Sequence, residues 1–154
     1  MFHIVLVEPE IPSNTGSIAR LCAATKSILH LIHPLGFRMD HHSMRRAGMD
    51  YLDFATIHEY DSLEECLENA SSVYYFTTKS PKLYWEAIFS TDDYLIFGRE
   101  TKGLPEELLR LNRDRSLTIP IPETRARSLN LATSVGIALY EAIRQQALKG
   151  KVEV

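Results

Sequence analysis

Polar and cationic side chains gather near the carboxyl end of the chain, directly after a segment that contains two prolines. Arg125 and Arg127 come shortly before Ser128 and Asn130, two residue types that often cap helices. The prolines hold residues 119–122 extended and remove backbone donors. Because the free N–H groups at the start of a helix would face this loop, the segment can bind a polar or anionic ligand. The residue types alone fit a capped C-terminal helix after a strand equally well.

A second group of polar residues opens the first helical pattern of the chain. Ser13 or Asn14 is predicted to cap this helix, which follows a segment stiffened by two prolines. Arg20 lies one helical turn beyond Gly16, so the two residues share a face. Taken alone, the pattern fits both a binding site and a helix cap with a surface arginine.

A third group follows the apolar run that ends at Phe97. Gly98 permits a close backbone approach, Gly103 can adopt a positive φ, and Pro105 is predicted to open a helix. Glu100 is an acidic side chain within this turn. Since glycines at both ends of a strand-to-helix turn also occur without any ligand, the turn becomes informative only beside the other groups.

Several common chemistries lack their motifs in this sequence. There is no G-x-G-x-x-G or P-loop pattern for a dinucleotide or a nucleoside triphosphate, and no serine in a G-x-S-x-G elbow. Cys22 and Cys66 have no partners at metal-site or redox spacing, so we expect reduced, buried thiols. His41 and His42 have no second pair of ligands nearby, and we expect no metal.

The composition is that of an ordinary globular chain. Of 154 residues, 45% are apolar and 24% are charged, which excludes a mostly disordered protein. The net charge of −3 argues against bulk electrostatic capture of nucleic acid but is compatible with a local basic face. No apolar run approaches the roughly 20 residues of a membrane span, and the start lacks a signal-peptide pattern. We therefore expect one cytoplasmic domain over residues 1–154 that binds no membrane.

Short apolar runs alternate with helical patterns along the chain, which predicts an α/β fold with a mainly parallel, six-stranded sheet. The predicted strands are residues 2–7, 29–32, 56–60, 73–76, 94–97 and 117–119. The predicted helices are residues 14–25, 43–49, 62–70, 105–111 and 131–143, the third opened by a capping box from Ser62 to Glu65. Ligands of open α/β sheets bind beyond the carboxyl ends of the strands, and all three polar groups follow strands. We expect them to converge there.

The order of the three groups is also that of a known family. Asn14-x-Gly16-x-x-x-Arg20 comes first, Phe97-Gly98-x-Glu100-x-x-Gly103-Leu104 second, and Ile119-Pro120-Ile121 with Ser128-Leu129-Asn130-Leu131 third. From residue 4 through residue 144 the chain resembles the SPOUT, or α/β-knot, RNA ribose methyltransferases, and it looks most like their small TrmL-type branch. The resemblance implies methylation of the 2′-hydroxyl of the wobble-nucleotide ribose, cytidine 34 or a modified uridine 34, in the tRNA anticodon stem-loop.

The resemblance further implies a homodimer that binds S-adenosyl-L-methionine in a C-terminal trefoil knot. The residues that would line the cofactor site, largely through backbone groups, are Phe76 or Thr77, Gly98, Ile119, Ser128 and Leu129. Those that would surround the transfer point are Asn14, Arg20, Glu100, Ser128 and Asn130. Those expected to contact RNA are Arg45, Arg46, Lys102, Arg125, Arg127 and Tyr140. The chain departs from the family at Lys26-Ser27, where glycine is common, and in a longer loop at residues 122–127.

The chemistry of the residues suggests a division of roles. A guanidinium group keeps its proton at neutral pH and has no acceptor, so Arg20 cannot serve as a base. We expect Arg20, from the same or the opposite subunit, to hold a phosphate and to stabilise developing oxyanion charge. A carboxylate or a phosphate would accept the hydroxyl proton, and Glu100 is the local candidate.

Three alternatives are open at the level of sequence. The chain could methylate a ribose in ribosomal RNA or at another tRNA position, or it could bind RNA without catalysis. A signalling receiver is the third alternative, because Glu8, Glu10 and Thr77 loosely imitate a phosphoacceptor site. That alternative lacks the aspartate it needs after the third strand.

Overall fold

A computed structural model describes residues 1–40, 42, 45 and 54–150 of the chain. Its centre is a six-stranded sheet in the order β3-β2-β1-β5-β4-β6, and every neighbouring pair of strands is parallel. The strands are β1 His3–Val7, β2 Ile28–Ile32, β3 Thr56–Tyr60, β4 Val73–Phe76, β5 Tyr94–Phe97 and β6 Ser116–Leu117. The predicted α/β class with a parallel sheet is confirmed.

Helices cover both faces of this sheet. They are α1 Pro12–Thr25, α2 Leu63–Leu67, α3 Glu106–Leu111 and α4 Leu131–Ala147, with short 3₁₀ turns at Tyr84–Glu86 and Arg113–Arg115. On one face, α1 and α4 pack over alternate residues of the strands, with Ile18 and Leu139 fully buried. On the other face, α2 and α3 cover a smaller cluster around Ile96. Among the described residues, no helix is long and apolar enough to cross a membrane.

Some predicted boundaries are wrong for identifiable reasons. Strand β6 ends at Leu117 because the N–H of Thr118 donates to the carbonyl of Lys82, which diverts the chain away from the ladder. Helix α2 ends at Leu67, short of the predicted residue 70. Half of its predicted capping box forms, since the Glu65 N–H donates to Ser62 Oγ at 3.1 Å. The helix predicted at residues 43–49 lies outside the described residues, except at Arg45.

The two cysteines are free and buried, as predicted. Burial raises the pKa of both the Cys22 and the Cys66 thiols to about 12, so both stay protonated at neutral pH. Neither is a reactive thiolate in this structure.

The strand order creates a crevice at a defined place. From β1 the chain moves outward through β2 to β3, and it then crosses to the other half of the sheet, where β5 lies directly beside β1. The helices that follow β1 and β5, α1 and α3, lie on opposite faces of the sheet. Such a switch point is where open α/β sheets bind ligands.

Candidate functional site

A cavity of about 570 Å³ opens at the carboxyl ends of β1, β4, β5 and β6. Its volume lies within the roughly 300–1,000 Å³ typical of small-molecule sites. The lining comes from the start of α1, from residues 76–79, from residues 97–104 and from residues 119–134. The three polar groups of the sequence thus meet in one place, as the strand arrangement predicts.

Apolar side chains form the floor and one wall of the cavity. The rings of Phe76 and Phe97, which end β4 and β5, stack with their centroids 4.6 Å apart. Ile119, Ile121 and Leu129 line the cavity from another loop, part of which the prolines hold extended. These apolar side chains suit the flat face of an organic ligand, and polar residues line the rest of the cavity.

The turn after β5 has a conformation that requires its first glycine. The Gly103 N–H donates to the carbonyl of Arg99 at 2.8 Å, and Gly103 itself has a φ of +66°. A Cβ at Gly98 would lie 2.1 Å from the carbonyl carbon of Gly103. Since no side chain fits in that space, Gly98 allows the turn to fold back against the cavity.

Glu100 caps the first helix from a distant part of the chain. The N-cap of α1 is Ile11, whose side chain cannot accept a hydrogen bond. Glu100 Oε2 accepts the N–H of Glu10 at 2.8 Å, and Oε1 accepts the N–H of Ile11 at 3.0 Å. The expectation that Ser13 or Asn14 caps this helix is therefore wrong, because α1 begins earlier, at Pro12, and its cap is supplied by the turn after β5.

Hydrogen bonds continue from Glu100 across the cavity. Glu100 Oε1 also accepts from Asn14 Nδ2 at 3.3 Å, and Asn14 Oδ1 accepts from Asn130 Nδ2 at 2.9 Å. Asn130 Oδ1 accepts the N–H of Thr133 at 3.2 Å and caps α4. Of the two predicted caps for that helix, Asn130 fills the role and Ser128 does not. Glu100, Asn14 and Asn130 thus link three loops that are far apart in sequence.

The structure brings most of the predicted site residues together. Those that line the cavity are Asn14, Phe76, Thr77, Gly98, Glu100, Lys102, Ile119, Arg127, Ser128, Leu129 and Asn130. Arg20 lies on the exposed side of α1, outside the lining. Arg45, Arg125 and Tyr140 are also exposed and outside it, and Arg46 lies outside the described residues. The predicted cofactor residues therefore meet in one cavity; of the predicted RNA contacts, Lys102 and Arg127 also line it, whereas Arg45, Arg125 and Tyr140 lie elsewhere on the surface.

Sequence reasoning missed several residues of the cavity. Ile11, Lys79, Arg99, Thr101 and Ser134 all line it. Each lies within a few residues of a predicted site position, so the rule that loops after strands converge could have included them. Arg99 and Thr101 also contact the segment that follows β1, which no local pattern reveals.

Two carboxylates in the loops that line the cavity, those of Glu123 and Glu10, accept hydrogen bonds that favour their ionised forms. Arg125 donates from both Nε and Nη2 to the carboxylate of Glu123, at 3.0 and 2.8 Å, and these bonds lower the pKa of Glu123 to about 2. A hydrogen bond from Thr101 lowers the pKa of Glu10. Both carboxylates therefore remain ionised at neutral pH.

Comparison with known proteins places this arrangement in a family context. Residues 1–140 match the SpoU rRNA Methylase family. The tRNA (cytidine(34)-2′-O)-methyltransferase of Escherichia coli (strain K12) is 43% identical, and the match covers 99% of this chain and 98% of that protein. A protein of Geobacillus stearothermophilus, which carries the same name in provisional form, is 50% identical over 96% of this chain and 97% of its own length.

A solved structure has the same arrangement of elements. It is described as "Structural insights into the 2-OH methylation of C/U34 on tRNA" and is 45% identical to this chain. The superposition has a TM-score of 0.87 and covers 97% of each chain. Similarity in sequence and in fold therefore extends over nearly the whole length of both chains.

Proposed function

Because this chain belongs to the SpoU rRNA methylase family, we propose that it is an S-adenosylmethionine-dependent tRNA 2′-O-methyltransferase that acts on the wobble ribose, at cytidine 34 or a modified uridine 34. One observation carries the proposal. Three loops of the family pattern converge on a single cavity at the switch point, with an apolar wall facing Asn14, Glu100 and Asn130. The relatives named for this reaction match over almost their full length.

The lining of the cavity fits S-adenosylmethionine, which supplies a methyl group on a sulfonium when it is bound. Ile119 and Leu129 offer apolar surface for the adenine, and the Gly98 turn presents backbone without a side chain in the way. Thr77 and Ser128 add hydroxyl groups at the margin. We assign cofactor contacts to these residues and to Phe76.

Glu100, Asn14 and Asn130 would form the polar side of the transfer point. An ionised carboxylate has about four acceptor positions, and Glu100 already uses three, for two backbone N–H groups and Asn14. The main role of Glu100 is therefore to hold the start of α1 in place. Its one remaining acceptor position is the candidate to accept the proton of the ribose hydroxyl. Asn14 and Asn130 would orient the ribose, with Ser128 beside them.

Arg20 would contribute from the partner subunit of a homodimer. It is exposed on α1 and lies outside the cavity of its own chain, so Arg20 itself would reach the ribose only from a second chain. There, a protonated guanidinium would hold a phosphate and stabilise the developing negative charge on the oxygen. Size determination in solution, and complementation between an Arg20→Ala chain and an Asn130→Ala chain, would test this arrangement.

The RNA would bind across the rim of the cavity. Lys102 and Arg127 lie at that rim, and we add Arg45, Arg125 and Tyr140 as more distant contacts. Arg46 is included on its place in the sequence alone. Each lost phosphate contact lowers the slope of log affinity against log salt by about one, so Lys102→Ala with Arg127→Ala should lower it by about two. Lys26→Gly, at the opposite end of the sheet, provides the control. An unchanged slope in the double variant would contradict this footprint.

Three further assignments follow from family membership. We propose that residues 1–154 form one methyltransferase domain, that its C-terminal segment is threaded through a trefoil knot, and that the protein works in the cytoplasm, where tRNA is modified.

Direct mapping of the product tests the proposed function. The purified chain is incubated with S-adenosylmethionine and an anticodon stem-loop, and nuclease fragments are analysed by mass spectrometry. We expect one added methyl group on ribose 34 and none on a matched stem-loop with 2′-deoxyribose at position 34. A methyl group at another position would favour a different RNA target of the same chemistry. Absence of S-adenosylmethionine binding by calorimetry would favour a non-catalytic RNA-binding module.

A further inference from the structure

The segment after β1 and the turn after β5 exchange contacts in both directions. The Thr101 hydroxyl donates to Glu10 Oε1 at 2.7 Å, and the guanidinium of Arg99 donates to the carboxylate of Glu8. In the opposite direction, Glu100 accepts the N–H groups of Glu10 and Ile11. We call residues 8–11 together with residues 99–101 the interlock.

Residues on the far side hold the first half of the interlock in place. Glu8 has a φ of +51°, which a glutamate rarely adopts, and its N–H donates to the carbonyl of Ile32 at 3.0 Å. The Gly36 N–H donates to the carbonyl of Pro9 at 2.9 Å, and a Cβ at Gly36 would lie 2.7 Å from the Cα of Glu10. Residues 8–10 therefore have little room to move away from the turn after β5.

The interlock lies between the two halves of the proposed reaction site. Its β5 half continues from Gly98, whose turn forms a wall of the cofactor cavity. Its β1 half leads directly into α1, where Asn14 follows Ile11 by a single helical turn. The Glu8 and Arg99 side chains are only 26% and 31% exposed, so solvent competes weakly for this pair. A shift of the turn after β5 therefore has to be transmitted to Asn14.

We propose that the interlock couples occupancy of the cofactor cavity to the position of Asn14, with Glu8, Glu10, Arg99 and Thr101 as positioning residues. This inference rests on the proposed function, because the cofactor and the ribose whose binding is coupled are the two substrates of that reaction. A ligand that restricts the motion of the turn after β5 also restricts the first turn of α1. By thermodynamic linkage, a substrate bound at Asn14 then raises the affinity for that ligand. These four side chains thus determine how the two substrates are placed relative to each other.

The first test uses amide hydrogen exchange with S-adenosylhomocysteine as the probe, which requires no catalysis. We expect the probe to slow exchange in residues 11–16 of the unaltered chain. Glu10→Ala and Thr101→Val should each reduce that slowing while residues 98–104 stay protected; the bonds from Glu100 to residues 10, 11 and 14 remain in both variants. Thr101→Ser, which keeps the hydroxyl donor, should restore it. Slowing in residues 11–16 that is undiminished in both Glu10→Ala and Thr101→Val would overturn the proposal.

The second test is a double-mutant cycle on methyl transfer. Glu10→Ala and Thr101→Val should each lower kcat by about tenfold with little change in KM for S-adenosylmethionine, and the double variant should lose no more than either single variant. Glu107→Ala removes a comparable pair, with Arg110 on α3, and should leave kcat unchanged. Undiminished kcat or additive losses would overturn the proposal. A failure of the proposed function would instead appear in the unaltered chain, as no transfer to ribose 34.

Discussion

Two regions of the same sheet hold polar residues in different surroundings. Beyond the carboxyl ends of the strands, the Glu100 side chain accepts hydrogen bonds from backbone N–H groups and from Asn14. Across the strands themselves, His3, His30 and His58 form a row of stacked rings, with centroids 5.1 and 5.6 Å apart. Tyr94 continues the row at 4.1 Å from His3.

The two regions differ in whether their surroundings stabilise a charged group. His3 Nδ1 and His30 Nε2 are 2.9 Å apart and share a single proton, so two protonated rings cannot coexist there. Burial, with the neighbouring His3 and His58, lowers the pKa of His30 to about 3. Loop and helix N–H groups beyond the carboxyl ends of the strands can bind an anion, whereas burial opposes protonation of His30 and His3. The two regions therefore respond to charge in opposite ways.

The largest effect is expected from closing the space beside Gly98. The Cβ of Gly98→Ala would overlap the backbone of residues 103 and 104, so the turn must open. We expect roughly 1–3 kcal/mol of lost stability and about 100-fold slower methyl transfer, because the site is displaced by an ångström or more.

Gly136→Ala is the matched control, since the nearest atom to its Cβ would be Leu21 Cδ2 at 4.0 Å. It should raise the free energy of unfolding by up to about 1 kcal/mol through helix propensity. Urea unfolding and kcat distinguish the two variants. Equal tolerance of both would contradict the close approach at Gly98, and a loss at Gly136 alone would indicate that a second chain packs on α4.

A smaller effect is expected from removing the charge of Glu100. Glu100→Gln keeps one acceptor oxygen but loses the other, so the start of α1 is held less firmly. We expect kcat to fall by roughly tenfold or more, since hydrogen bonds to charged groups contribute about 1.5–3 kcal/mol. The pH dependence of kcat distinguishes the two roles of this residue. Loss of a base would change the shape of the curve of kcat against pH, whereas loss of a group that only holds α1 would lower kcat equally at every pH. An undiminished rate would exclude both roles.

In the row of rings we expect acid to lower stability rather than rate. The folded-state pKa of His30 lies below its unfolded value of 6.5, so the unfolded chain binds more protons between those two values. The stabilisation is complete above pH 6.5 and is lost as the pH falls. At pH 5 the loss due to His30 should be about 2 kcal/mol, at 1.36 kcal/mol per pH unit.

Urea unfolding at pH 5 and pH 7.5 checks this sign, with His30→Gln as the non-titrating comparison. The difference between the two pH values should shrink in the variant. An identical pH dependence in both chains would show that the row of rings accepts protons freely.

The smallest effect is expected at Lys26, which ends α1 with a φ of +53°. Lys26→Gly relieves this left-handed conformation and should stabilise the chain by about 0.5–1 kcal/mol, with no change in kcat. Ala24→Gly, two residues earlier and inside the helix, should destabilise by a similar amount. Thermal unfolding compares them, and stabilisation by both or by neither would contradict the geometric argument.

Local patterns were sufficient for the sheet but not for the contacts between loops. The apolar runs predict all six strands, and the rule about carboxyl ends places Asn14, Gly98 and Asn130 in one cavity. The cap of α1 was mispredicted because its acceptor, Glu100, is supplied by another loop rather than by neighbouring residues. Strand β6 was predicted too long because Thr118 leaves β4 and forms a parallel bridge with Leu83, a contact that periodicity does not encode. The cofactor and the knot came from the family resemblance alone.

The cap that Glu100 provides also has a consequence for synthesis of the protein. The N–H of Glu10 that it accepts is separated from it by 90 positions, and Asn14 and Asn130 by 116. At about 5–20 residues per second, a ribosome adds the last of these partners roughly 6–23 s after Asn14. A nascent chain therefore carries an incompletely capped first helix for many seconds. The same arrangement means that no partly synthesised chain can have a complete site, so methylation must await the last quarter of the protein.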